Sequence, residues 1–540
     1  MKNIFSKIAR NWKSGLTVAL VSIPLSVSLA VASGTSPVVG ILTAIWAGIA
    51  ASIFGGSNYN IVGPTGALSG ILVAYAVIHG AGTLPMIAIL TGVFVLIAYF
   101  FKLERYLVFV PGSAIHGFTL GVAFIIGLNQ LNFALGLSGL PKHEKFIDNI
   151  IESFSHIGSA SIATILFFVG FLAFLMIWKR RVPRFPGPIV VAVLGILLGI
   201  VGSFYDLPFS LATLGSLYPD LRPALFIPTT FSFSQSMIAP ALAVAFVAIL
   251  ETILSAKIAD GMTKTKHNKH KEVRGLAAAN ILAGVMGGMP ATAALARTSL
   301  NVKTGADDKM SATVSSVAIA VISLFFLTYF KYIPLAVIAA ILVYVAISMV
   351  EAEHFKRMFI HDKKNFYLSL ATAGVTVYWD PIIGILLGVG VALLVLVEKL
   401  SRGQFDMTVN DKNKRLVDHV RGDMLEKAVE GSDTVVYSFD GMLCYLNSEA
   451  HSVRIAGSLG EAKNIILRFR NVCYIDMDGV ETLDEIIQTA EAHGTQIFIT
   501  GINPVISPML DDSHMYKKLN EQGKVFEKST DALISLGFNL

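Results

Sequence analysis

Apolar runs long enough to span, or nearly span, a bilayer recur along this chain as far as about Val397. Hydrocarbon offers backbone polar groups no partner, so runs of this length are read as transmembrane helices, which pair those groups internally. They lie near residues 15–33, 38–54, 65–79, 84–101, 113–136, 161–178 and 187–204. A second set lies near 238–258, 274–288, 296–306, 311–329, 333–350, 365–379 and 381–398. That makes fourteen segments in two groups of seven. The third and tenth are too short to cross alone, so each is expected to begin as extended chain. Charged residues are 15% of the total, against about 25% in a soluble protein, and they concentrate beyond about Ser401. The chain therefore divides into a cytoplasmic N-terminal segment 1–14, a membrane domain 15–400, a linker 401–421 and a water-soluble domain 422–540.

Basic residues orient the segments. Lys102 and Arg105 follow the fourth span; Lys179, Arg180, Arg181 and Arg184 follow the sixth. Lys264, Lys266, Lys269, Lys271 and Arg274 follow the eighth; Lys356, Arg357, Lys363 and Lys364 follow the twelfth; Lys399 and Arg402 follow the last. These clusters share a side with the basic N-terminus. Lys142 and Lys145, after the fifth span, are a mild exception, and the loop with Asp206 and Asp220 has few cations. By the positive-inside rule both termini are cytoplasmic, in the inner membrane of the cell. The net charge of +5 sits in these loops, so nucleic acid is not an expected partner. The run ending Ala30-Val31-Ala32 is longer than a signal-peptide core and is read as a first transmembrane helix.

Seven segments per half give the second half the opposite orientation, which is the topology of inverted-repeat transporters. The sequence supports a repeat weakly. Pro64-Thr65-Gly66-Ala67 and Pro290-Ala291-Thr292-Ala293 occupy the third segment of each half, each about forty residues after Pro24 or Glu251. If these segments turn from extended chain into half-helices near the midplane, each presents free N–H groups and a positive dipole end. Proline fits at or before such a start, and small residues allow backbones to approach. Thr65, Thr292 and Thr298 offer hydroxyls. The plain alternative is a proline kink packed tightly by small residues. Arg297 adds a charge that is costly at membrane depth. It serves either an anion site or a structural pairing with Glu251.

Glu251, mid-span, has two readings: a proton or cation coupling site, or a carboxylate that neutralises Arg297 when substrate is absent. Asp260, flanked by Lys257 and Lys264 at helical spacing, is read as structural or gate-lining, and is the second coupling candidate. Ser22, Pro24, Ser26 and Ser28 introduce polarity and a break into the first span. His79 and His116 show no pattern with a cysteine or carboxylate, so neither is assigned to a metal. Cys444 and Cys473 are expected to be reduced, buried core residues. In the soluble part, 435–439, 464–469 and 496–501 read as strands and 480–493 as a helix, which implies a small α/β domain. It shows no phosphate loop, nucleophile elbow or metal spacing, so no catalytic residue, cofactor or enzyme activity is expected.

Gly15–Gly34 with Ile23-Pro24, Gly63-Pro64-Thr65-Gly66-Ala67, Glu251–Asp260 and Gly287 through Thr298 together resemble the SulP anion permeases. The C-terminal portion resembles the STAS domain appended to them. The resemblance implies fourteen segments divided into core and gate domains, an elevator-like movement, and a homodimer. It places the anion between the first helix and the facing ends of segments three and ten. Carried over by position, the site is Leu25, Leu29, Thr65, Gly66, Ala67, Leu295, Ala296, Arg297 and Thr298. Relatives often have polar or aromatic side chains where Leu25 and Leu29 stand, and serine at Ala296, so attraction here would rest on backbone N–H groups and Arg297. Asp478 stands where anti-sigma antagonists carry a phosphorylatable hydroxyl, which argues against a phosphorylation switch at that residue.

The first functional reading is a secondary active transporter of a small inorganic anion, sulfate or bicarbonate, with H+ or Na+ as coupling ion or running by exchange. A nucleobase permease of the same architecture is the second, with Glu251 as the hydrogen-bonding acid. A passive anion channel or a STAS-linked sensor is the third.

Overall fold

The computed structural model describes residues 2–137, 140, 143, 146–182, 186–204, 211–228, 232–379, 381–410, 416–420, 433–457, 459 and 462–538. Lys142, Lys145, Arg184 and Asp206, and the boundary at Gly422, lie outside the described residues. The chain forms two units, Met1–Ala392 and Leu393–Leu540.

The first unit opens with α1 (Lys2–Ala32), α2 (Pro37–Phe54), α3 (Gly66–His79), α4 (Leu84–Phe100) and α5 (Gly112–Leu128). Next come α6 (Leu131–Leu135), α7 (Phe146–Ser155), α8 (Ile162–Arg181), α9 (Gly187–Phe204) and α10 (Leu214–Leu217). α11 (Ile238–Thr263), α12 (Lys269–Val285), α13 (Leu295–Lys303) and α14 (Met310–Phe326) follow. α15 (Leu335–Met349), α16 (Ala352–His361), α17 (Lys363–Tyr378) and α18 (Pro381–Ser401) complete the helical part. Among the described residues, ten helices are long and apolar enough to cross a membrane. α3 (14 residues), α12 (17), α13 (9) and α17 (16) occupy ranges read as spans but are not among those ten.

Local chemistry explains the ends of these helices. Ser36 accepts from the Val38 N–H and Pro37 opens α2, a capping hydroxyl followed by a residue that needs no N–H partner. Asn268 caps α12 by accepting from Lys271. The expected break at Pro24 does not occur: α1 runs through it. Proline removes one hydrogen bond, and the helix continues through the defect where α2 packs closely against it. Gly40 of α2 approaches so nearly that an added Cβ would lie 2.2 Å from the Ser26 carbonyl oxygen. α1 also extends back through residues 2–14. There Lys7 pairs with Asp308 at 2.7 Å, and Asn11 donates to Asp307 while accepting from its N–H.

The second unit is a six-stranded sheet in the order β4-β3-β5-β6-β7-β8, taking β1 and β2 as the short pair described below. Its strands are β3 (Gln404–Asn410), β4 (Leu416–Val420), β5 (Thr434–Leu443), β6 (Asn464–Ile475), β7 (Gln496–Thr500) and β8 (Val525–Phe526). β5 through β8 run parallel, as strands joined by helices do. The antiparallel pair β3–β4 lies inside the range read as a linker. The alternation Phe405, Met407, Val409 against polar neighbours is a strand pattern that runs on directly from the last helix. Helices α19 (Ser448–Ala456) and α20 (Met477–Ala492) cover the sheet; Asp476 caps α20 by accepting from Gly479, and Asp478 is exposed in its first turn. Cys444 is buried, but Cys473 is exposed, against expectation. Gly441 faces Val472 and Met442 faces Tyr474, so Cys473 is the extra residue of a β-bulge and is turned out of the alternation.

His451 on α19 is fully buried, with Nδ1 2.8 Å from the Tyr437 hydroxyl. Burial, aided by the Arg454 charge, holds its imidazole down at about 4. The unfolded chain takes the proton first, near 6.5, so this contribution is complete above that pH and is lost as pH falls toward 4. Its ceiling is on the order of 3 kcal/mol. Hydrogen exchange of residues 434–456 in the full-length protein should therefore accelerate roughly tenfold or more from pH 7.5 to 4.5, after correction for intrinsic rates. His451→Phe should flatten that profile; an unchanged profile would show that another group sets it.

Candidate anion site

β1 (Val62–Gly63) and β2 (Thr292–Ala293) pair antiparallel, Val62 opposite Ala293 and Gly63 opposite Thr292. The Ala294 N–H extends the ladder to the Ile61 carbonyl at 3.0 Å. From this ribbon α3 departs at Gly66 and α13 at Leu295, so both broken segments, 229 positions apart in sequence, present helix N-termini at one place. The preceding residues, Thr65 and Ala294, are extended and make no side-chain cap. First-turn N–H groups thus remain for another acceptor, and the dipole ends favour an anion.

Polar side chains hold the ribbon. Glu272, buried in the first turn of α12, accepts from the N–H groups of Gly56 (2.6 Å) and Ser57 (2.7 Å) and from Asn60 Nδ2 (2.6 Å). Asn280, two turns further on the same face, accepts from the Ala291 N–H and donates to its carbonyl, both at 2.9 Å. It thereby replaces a strand neighbour for the extended chain. The Thr292 hydroxyl donates to the Ala248 carbonyl, and the Thr298 hydroxyl accepts from the Ile61 N–H at 3.1 Å. Both threonines named as hydroxyl donors in the second half are therefore tied into the scaffold. Sequence reasoning missed Glu272 and Asn280. The signal available was an acid and an amide eight residues apart, on one side of a helix whose other polar residues are all basic.

Arg297, only 2% exposed, lies in the first turn of α13. Its Nη2 donates to the Pro64 carbonyl at 2.5 Å, across the ribbon from its own helix. Among the described residues its Nη1 is buried with no acceptor. A Cβ on Gly63 would lie 2.9 Å from that nitrogen, so glycine makes the room the guanidinium occupies. Glu251 accepts from the Thr65 hydroxyl at 3.3 Å and, among the described residues, makes no ion pair with Arg297. Gly66, Ala67 and Thr65 are buried, Leu29 is buried and Leu25 partly so, whereas Leu295 and Ala296 are exposed. A cavity of about 370 Å³ at the α1–α2 turn, lined by Ser36 and Tyr218 among others, touches none of these residues.

Two residues find partners beyond their helical neighbours. Among the described residues, Asp260 makes no ion pair with Lys257 or Lys264. α11 ends at Thr263, Lys264 leaves it with a left-handed φ of 57°, and the chain folds back so that Asp260 takes the His267 N–H (2.9 Å) and ring Nδ1 (2.7 Å). His116 is not without a carboxylate: its Nδ1 lies 3.4 Å from Glu351, beside His354. The signal available was Glu351-x-x-His354, one helical turn.

Residues 9–372 match the sulfate permease family, and residues 426–532 match the STAS domain. The chain belongs to the sulfate permease family. This permease is 32% identical over 96% of its length to a Bacillus subtilis (strain 168) protein named "Putative sulfate transporter YvdB", covering 96% of that protein. It is 25% identical to the bicarbonate transporter BicA of Picosynechococcus, over 95% of this chain and 92% of that one. Its fold overlays that of the murine Slc26a9 anion transporter in the inward-facing state with a TM-score of 0.83 at 16% identity, covering 98% of this chain and 91% of the other. The transmembrane domain of a cyanobacterial BicA overlays with 0.61 at 24% identity, covering 71% of this chain and 98% of the other. The permease is therefore an integral membrane protein with a helical transporter fold followed by a STAS domain.

Proposed function

We propose that this permease is a secondary active transporter of a small inorganic anion, sulfate or bicarbonate, bound between the N-terminal ends of α3 and α13. The observation that carries this reading is the Arg297 guanidinium, buried at the mouth of two helix dipoles with Nη1 lacking an acceptor among the described residues. A buried cationic N–H without a partner is costly, and an anion relieves that cost together with the free first-turn N–H groups. Thr65, Gly66, Ala67, Leu295, Ala296 and Arg297 would surround the ion; Leu25 and Leu29 would close the side toward α1, and Thr298 would orient the turn. Glu251, bonded to Thr65, is the coupling group for H+ or Na+ in this reading, with Asp260 a gate residue. Fourteen segments in a 7+7 inverted repeat, moving as core against gate by an elevator-type step, complete the proposal. So do cytoplasmic termini, an inner-membrane location, a homodimer, and the division 1–14, 15–400, 401–421 and 422–540. The permease performs no covalent chemistry.

Reconstitution into proteoliposomes tests it. Labelled sulfate or bicarbonate should accumulate above its external concentration under an imposed H+ or Na+ gradient. Mere equilibration under every gradient would instead indicate a channel, and competition by uracil a nucleobase permease. Glu251→Gln should keep anion binding and abolish accumulation; full accumulation in that variant would remove Glu251 from coupling.

A further inference from the structure

We propose that His116, Glu351 and His354 form a binding site for one divalent transition-metal ion of the zinc class. The three side chains come from two distant parts of the chain. His116 stands on the second turn of α5, Glu351 is the N-cap residue of α16, and His354 lies in the first turn of α16. Their potential ligand atoms, one per residue, all lie within 4.8 Å of one another. A tetrahedral ion with bonds of about 2.1 Å holds its donors about 3.4 Å apart. The separation of His116 Nδ1 and Glu351 Oε2, 3.4 Å, meets that spacing. The His354 ring rests against the His116 ring, centroids 3.9 Å apart and planes at 32°, and a shift on the order of an ångström brings its nitrogen into place.

The Glu351 carboxylate is available for this role. Although Glu351 is the N-cap residue, its side chain takes no N–H of α16, so it is not spent on capping as an acidic N-cap usually is. The nearby Arg357 is paired with Glu353 at 3.6 Å, so that cation is directed to another carboxylate. Two imidazoles and one carboxylate are the donor set of zinc-class ions, whereas Mg2+ and Ca2+ prefer all-oxygen surroundings. Glu351 keeps 45% of its side chain exposed, so the fourth position is open to water and the ion can exchange with solvent. Once bound, the ion ties the start of α5 to the corner between α15 and α16.

The test uses the full-length protein in detergent, stripped with EDTA and dialysed against micromolar Zn2+. Wild type should retain one more Zn2+ per chain than His116→Gln/His354→Gln, and its melting temperature should rise with Zn2+ but not with Mg2+. Glu351→Gln should weaken Zn2+ binding at least tenfold while its melting temperature in EDTA matches wild type, which separates ligand loss from misfolding. Equal Zn2+ content in wild type and the double variant would overturn the proposal. That result would assign the metal to other histidines, such as His267 or His270. Unchanged affinity in Glu351→Gln would overturn it as well.

Discussion

Arg297→Ala should reduce anion uptake by this permease tenfold to a hundredfold. A charge-assisted hydrogen bond is worth about 1.5–3 kcal/mol, and an anion between α3 and α13 would lose at least one, together with the only full positive charge that the site residues supply. Backbone N–H groups and dipole ends remain, so residual binding is expected. Arg297→Lys should recover part of the uptake, because the charge persists while the planar fork, which holds Pro64 and would hold an anion as well, does not. Uptake of labelled sulfate and bicarbonate into proteoliposomes, with melting temperatures measured alongside, checks this. Wild-type uptake by the alanine variant would move the anion elsewhere.

The largest stability loss should come from Glu272→Ala, which touches no proposed ligand residue. One carboxylate satisfies two backbone N–H groups and one amide, all buried or nearly so. Removing it leaves those donors unpaired, at about 1–3 kcal/mol each, or several kcal/mol in total. Added water in the vacated space would recover some of this. Glu272→Gln should be milder, since one amide oxygen can still accept, but its NH2 then meets a donor. Thermal melting in detergent should rank wild type above Gln, and Gln above Ala. A melting temperature within a degree of wild type for Glu272→Ala would mean that the loop holds itself.

The ribbon was legible because proline and small residues cluster in two apolar segments too short to span. Pro64 and Pro290 in those segments announced extended chain, and β1 and β2 lie close beside them. Arg297 stood out because a charge is costly at membrane depth. What sequence could not convey was partnership across distance. Glu272 binds backbone N–H groups more than two hundred positions away, and backbone donors carry no side-chain signature. His116 meets Glu351 and His354 only because α5 packs against the corner after α15. The β3–β4 pair was legible by alternation, yet it was absorbed into a supposed linker because it continues straight from a long helix. Cys473 was misjudged because a bulge shifts the strand's alternation by one, and bulges are set by neighbours rather than by the strand itself.

The pairing of β1 with β2 also bears on how the protein is made. Gly63 and Thr292 are separated by the synthesis of nearly half the chain. At about 5–20 residues per second, a ribosome needs roughly ten to fifty seconds to cover that interval. Throughout it, the backbone around Gly63 has no strand to pair with, and hydrocarbon would leave its polar groups bare. Biogenesis must therefore shelter this segment, in the insertion machinery or at the aqueous border, until β2 emerges. Truncations ending before Thr292 should accordingly be cleared by membrane proteases rather than accumulate.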